Sequence, residues 1–144
     1  GVERLSGYRE ALAQHGIAVR DALIAEGKWS PASGAAAVSQ LLTRGETFTA
    51  LVASNDDMAI GAIRQLHESG VATPGAVSVI GFDDVAIAPY IVPSLSSVRI
   101  PVTEMIQETI SRLIFMLDGG EFKPQQTFSG ELILRDSVID GPHR

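Results

Sequence analysis

The chain contains no cysteine. That absence excludes disulfides, thiolate nucleophiles and cysteine-ligated zinc together. Lysine is nearly missing too, with Lys28 and Lys123 the only two, against a formal net charge of −6. An acidic chain with so few mobile cations is a poor match to a phosphate backbone, so this segment is not expected to contact nucleic acid by itself. Aromatic residues make up 6% of the chain and tryptophan occurs once, at Trp29. The longest apolar runs, "SRLIFML" and "TALVAS", fall far short of the roughly 20 residues that a membrane-crossing helix needs, and no membrane partner is expected. His15, His67 and His143 stand singly without ligand spacing. Each is expected to be an exposed helix or tail residue, with no metal site and no cofactor. The opening "GVERLSGYRE" is charged and reads as a helix rather than an export signal.

What is present suffices for a core. The chain has 144 residues, 45% of them apolar and 19% charged, a composition that fits a globular domain burying about two-thirds of its unfolded surface. Leu5, Tyr8 and Leu12 recur at helical spacing and Gly16 suits the left-handed position past a helix end. "AVRDALIAEG" offers a short strand around Val19 to Ala25. "SPASGAAAVSQLLTRG" predicts a helix capped by Ser30, begun by Pro31 and ended at Gly45. "FTALVAS" reads as a strand covered on both faces, and "NDDMAIGAIRQLHESG" as a helix capped by Asn55 or Asp56, with Ala59, Ala62, Ile63 and Leu66 as its apolar stripe. After a turn at "VATPGA", "VSVIGF" is the next strand and "SSVRI" a further short one. "TEMIQETISRLIFMLDGG" is a long helix with Ile106, Ile110, Leu113, Ile114 and Leu117 in phase, and "QQTFSGELILRDSV" is extended, interrupted near Gly130. Helices alternating with strands argue for an α/β fold with a mainly parallel sheet flanked by helices.

The stretch "VSVIGFDD" ends a buried strand on two carboxylates, Asp83 and Asp84. Asp is a good turn and capping residue. Equally, ligands of open α/β sheets bind just outside the carboxyl ends of the strands, where a carboxylate accepts from two neighbouring hydroxyls through strong charge-assisted bonds. "SNDD" poses the same question at Asn55 and Asp56. Arg4 sits in the first turn of its helix, where the dipole disfavours a cation, so a role elsewhere is expected of it. Trp29 lies in the polar loop "EGKWSPAS"; its ring is either packed under the loop or offered to the flat face of a ligand. The two acid pairs also suit an Mg²⁺ site of a phosphoryl-transfer enzyme. Against catalysis, no lysine lies near either pair, no "G-x-S-x-G" or "G-x-x-x-x-G-K" occurs, and no histidine is placed for a triad.

Taken in order, "RLSGYREAL", "GKWS", "LVASNDDMAIGAIRQLHESG", "VSVIGFDD", "PSLSSVRIP" and "ELILRDSV" resemble the effector-binding core of the lactose-repressor/galactose-repressor family of bacterial transcription regulators. The resemblance implies a periplasmic-binding-protein-like fold of two α/β lobes joined by three crossing strands, with a small effector between them. Residues 1–98 would form the carboxyl-terminal lobe, 99–128 a crossover and helix belonging to the first lobe, and 129–144 a return strand and tail. It implies Arg4, Trp29, Asn55 and Asp83 as effector contacts, with Asp84 left to the turn or cap. It also implies a homodimer, with Tyr90 and Ile91 of the apolar loop "IAPYIVP" near the contact, and a cytoplasmic location. Operator DNA would be bound only through an amino-terminal helix-turn-helix headpiece absent from this chain. The small-molecule effector is expected to be a sugar, a sugar derivative or a purine. A periplasmic sugar-binding protein of a transporter is the alternative that shares the fold.

Overall fold

The computed structural model describes residues 1–121 and 126–141, so His143 and part of the 99–128 segment lie outside the described residues. The elements are α1 (Val2–Gln14), α2 (Pro31–Thr43), β1 (Ala50–Val52), α3 (Asp56–Glu68), β2 (Ser78–Phe82), β3 (Ser96–Arg99), α4 (Val102–Leu117) and β4 (Glu131–Ile133). The sheet has the order β1-β2-β3-β4. β1 and β2 run parallel with Leu51 opposite Val79, β2 and β3 parallel with Gly81 opposite Ser97, and β3 and β4 antiparallel with Val98 opposite Leu132. This is the expected mixed α/β, mainly parallel architecture.

Local chemistry explains the helix ends. Ser30 accepts from the Ser33 backbone N–H while the Ser33 hydroxyl accepts from the Ser30 N–H, a reciprocal cap, and Pro31 fills the first helical position. Gly45, Gly70 and Gly119 follow α2, α3 and α4 with φ of 73°, 74° and 87°, a region where a Cβ is costly. α3 packs on β2, and α2 packs on α3. The two helices cross backbone to backbone: a Cβ on Gly61 would lie 1.8 Å from the Pro31 carbonyl oxygen, and one on Gly34 2.1 Å from that of Met58. Val38, Ala59, Ala62, Ile63, Leu66, Val79 and Leu95 form the buried cluster this crossing encloses. Each large member contributes about 1.5–3 kcal/mol by leaving water.

Two expectations fail. Val19 to Ala25 is not a strand; the chain there is extended at Arg20 and Ile24 around a short 3₁₀ turn, Asp21–Leu23. Its alternation is broken by a charged pair, and no ladder partner among the described residues selects the extended form. β1 is not covered on both faces either, since Val52 is 63% exposed. Helix α3 shields one side only. α4 forms as expected, yet Ile106, Ile110, Leu113 and Ile114 are each more than half exposed. Among the described residues nothing buries that apolar stripe.

Candidate functional site

β1 and β2 are parallel neighbours, so the segments leaving their carboxyl ends, Ser54–Asn55 and Asp83–Asp84, emerge side by side. The first turn of α1 delivers Arg4 to the same place. One guanidinium nitrogen of Arg4 donates to the Ser54 carbonyl and another approaches the Asp83 carboxylate at 3.3 Å. The guanidinium carbon lies 3.8 Å from the centre of the Phe82 ring and 5.6 Å from that of Trp29, so two π faces flank the cation. Both members of the Arg4–Asp83 pair keep about a third of their side-chain surface in solvent. Trp29, half exposed and at φ 61°, is turned out of its loop toward this cluster.

Of the two candidate caps of α3, Asn55 takes the task. Its Oδ1 accepts from the Met58 N–H, so Asn55, and not Asp56, caps α3. Its amide nitrogen donates to the Trp29 carbonyl at 3.3 Å, which ties the cap to the loop that carries the ring. The residue is 9% exposed, and its bond to Trp29 uses one of its two amide hydrogens. Asp56 is wholly buried, accepting from the Ser97 hydroxyl at 2.6 Å and the Val85 N–H at 2.8 Å. Burial pushes its carboxyl above the ordinary value, those two hydrogen bonds pull it back, and the charges of Asp83 and Asp84 push it up further.

Asp84 does more than the turn duty expected of it. Arg135 reaches one of its carboxylate oxygens at 2.7 Å and Arg99 the other at 2.7 Å. Burial alone would raise this carboxyl, but the two guanidinium groups outweigh it and hold Asp84 below the usual value. Arg135 also donates to the Leu95 carbonyl, and Ser137 bridges β2 and β3 by donating to the Val79 carbonyl and accepting from the Ser96 N–H. Arg135 thus ties the carboxyl-terminal segment to the strand end at Asp84, and Ser137 ties it to the strands themselves.

Arg4, Trp29, Asn55 and Asp83 therefore meet at one sheet end. Tyr90 and Ile91 lie elsewhere: Tyr90 is 79% exposed, whereas Ile91 is half-buried against the core, and Ile87 and Val92 supply the remaining exposed apolar surface. Phe82, Ser97, Arg99 and Arg135 were not singled out from the sequence, and Asp56 only as a candidate cap or cation ligand. Strand alternation in "VSVIGF" offered a signal for Phe82, because it falls on the face opposite the buried Val79 and Gly81.

Residues 1–138 match the family model of a periplasmic binding protein-like domain. The HTH-type transcriptional regulator AscG of Escherichia coli strain K12 is 72% identical over 138 residues, which cover 96% of this chain and 41% of that regulator. The solved complex of the transcriptional regulator CelR with cellobiose superposes with a TM-score of 0.89 at 35% identity, over 94% of this chain and 42% of that one. The lac repressor dimer bound to operator and the anti-inducer ONPF gives a TM-score of 0.87 at 31% identity, over 95% and 47%. The chain spans less than half the length of each of these proteins.

Proposed function

The chain belongs to the family of periplasmic-binding-protein-like domains, in its lactose-repressor/galactose-repressor branch of transcription regulators, and from that premise we propose that it senses a sugar or sugar derivative through the Arg4–Asp83 pair. The observation that carries the proposal is the meeting of Arg4, Asp83, Phe82 and Trp29 at the carboxyl ends of β1 and β2. A long, solvent-touched ion pair is easily opened by hydroxyls: Asp83 accepts from two of them, Arg4 donates to ring or hydroxyl oxygens, and the Trp29 ring covers an apolar sugar face. Asn55 contributes by holding the Trp29 loop and by its remaining amide hydrogen. CelR, solved with cellobiose, supports a sugar over a purine.

The sheet end is one wall of a cleft whose other wall is a first lobe outside this chain. The exposed stripe of α4 fits that arrangement, since segment 99–128 would bury it in the first lobe. Effector binding closes the lobes to the extent that it favours the closed form, and closure alters how a dimer presents its headpieces to operator DNA. The lac repressor is solved as a dimer on its operator; for this chain we assign the dimer contact to the surface around Tyr90, with Ile91 beneath it, and place the protein in the cytoplasm. The relatives named above are transcription regulators, which leaves the transporter reading without support.

Calorimetric titration of the full-length protein against cellobiose, glucose, sugar phosphates and purines tests the proposal. A sugar should bind, and Asp83→Ala should weaken it at least about thirtyfold, as loss of a charge-assisted acceptor does. A sugar bound equally well by Asp83→Ala and Arg4→Ala would place the site elsewhere.

A further inference from the structure

Asp83 has φ 108° and Asp84 φ 53°. Two successive residues with side chains in this region are costly and persist only where the surroundings impose them. Here the imposition is explicit. The three successive backbone N–H groups of the turn each have a partner: Asp83 donates to the Val98 carbonyl at 2.9 Å, Asp84 to the Ser97 hydroxyl oxygen at 3.1 Å, and Val85 to Asp56 at 2.8 Å. The Ser97 hydroxyl in turn donates to the other Asp56 oxygen at 2.6 Å, which turns its lone pairs toward Asp84. Both Asp56 and Ser97 are 0% exposed.

A buried carboxylate is expensive unless both oxygens are satisfied. Asp56 meets that condition with a backbone N–H and a hydroxyl, and its place in the first turn of α3 puts it at the favourable end of the helix dipole. Room for it comes from β2, where a Cβ on Gly81 would lie 2.0 Å from an Asp56 carboxylate oxygen. Capping does not explain the residue, because Asn55 has that task. Neither Asp56 nor Ser97 opens to the cleft.

We propose that Asp56 and Ser97 are positioning residues for effector binding, which hold residues 83–85 in the strained form that presents the Asp83 carboxylate. The inference rests on the reading that Asp83 receives the effector. Asp56 links α3 to the turn, Ser97 links β3 to it, and the hydroxyl–carboxylate bond joins the two supports. Removing either relaxes the turn, so Asp83 no longer meets the ligand in one fixed geometry.

The test uses the full-length protein, with Ser97→Ala as the principal variant, Asp56→Asn as the second, and cellobiose as the probe. Hydrogen exchange of the ligand-free protein should quicken at Asp84 and Val85 at least about tenfold in Ser97→Ala, while the α3 amides from Ala59 to Leu66 change less than about twofold. Affinity for cellobiose should fall about tenfold in Ser97→Ala, yet less than about twofold when Ser97→Ala is added to Asp83→Ala, because the serine acts through that aspartate. Asp56→Asn should follow the same pattern. Exchange that rises equally across α3, or an affinity loss of the same size in both backgrounds, overturns the proposal by making the pair merely structural. Undiminished binding by Asp83→Ala refutes the reading of Asp83 as effector acceptor instead, no heat from cellobiose with the unaltered protein refutes cellobiose as its effector, and in either case the exchange comparison decides whether the clamp exists.

Discussion

Replacing Asp84 by alanine should cost the protein several times the stability lost on replacing its neighbour Asp83. The Asp84 side chain is only 6% exposed and is gripped at both oxygens, by Arg135 with 15% of its side chain exposed and by Arg99 with 51% exposed. Breaking a buried ion pair from one side costs about 3–5 kcal/mol, because the remaining charge stays unpaired. Two features lower that figure. Arg99 is half in water and recovers its hydration, and Arg135 keeps its bond to the Leu95 carbonyl at 2.6 Å. The expected loss is therefore about 2–4 kcal/mol for Asp84→Ala. Asp83 faces Arg4 across 3.3 Å with both side chains about one-third exposed, and such a pair is worth about 0–1 kcal/mol. Asp83→Ala also leaves the left-handed backbone in place, since its amide bond to the Val98 carbonyl does not involve the side chain. Urea denaturation of the two full-length variants, followed by Trp29 fluorescence and circular dichroism, measures the contrast. Equal losses, or a loss below about 1 kcal/mol for Asp84→Ala, would refute the burial argument and reduce Asp84 to an ordinary turn residue.

Gly61→Ala should destabilise by about 3 kcal/mol or more in the same assay, since the added carbon meets the Pro31 backbone and not a side chain that can move aside; a neutral result would mean that α2 and α3 slide apart cheaply. The lowered carboxyl of Asp84 contributes stability that is complete above its unfolded value near 3.8 and is lost as the pH falls through that value toward the folded one. Between about pH 5 and pH 3 the unaltered protein should thus lose more stability than Asp84→Asn, and equal slopes would contradict the assignment. Changing Tyr90 and Val92, both exposed in the single chain, to Asp should give monomers of the full-length protein in analytical ultracentrifugation that keep the native circular-dichroism spectrum; an unchanged dimer would move the interface elsewhere.

The parts of this fold that were legible are those whose causes are local. Ser30 and Pro31 announce α2, glycines close four helices, and the stripe of Ala59, Ala62, Ile63 and Leu66 orients α3, each within a turn or two of chain. The strand expected at Val19 to Ala25 failed because a strand exists only through its partner, which short-range alternation does not reveal. Asn55 and Asp56 are both competent caps, and the choice between them is made by Ser97, 41 residues away, which claims Asp56. Asp83 was readable because the sheet end is a general place for ligands. The double grip on Asp84 was not, since Arg135 lies 51 residues on, just past the end of β4.

In the β3–β4 ladder, Arg99 sits opposite Glu131, and their side chains also form an ion pair at 3.4 Å. The chain therefore quits the sheet and re-enters it at adjacent points, and the long excursion that carries α4 is attached by a two-stranded ribbon rather than by a single tether. A lone strand swivels freely about its own bonds. A paired ribbon resists shear between its strands and yields chiefly by bending and twisting, so any displacement of α4 reaches the sheet as torque. That torque is applied beside Arg99, whose guanidinium holds Asp84, the residue next to Asp83.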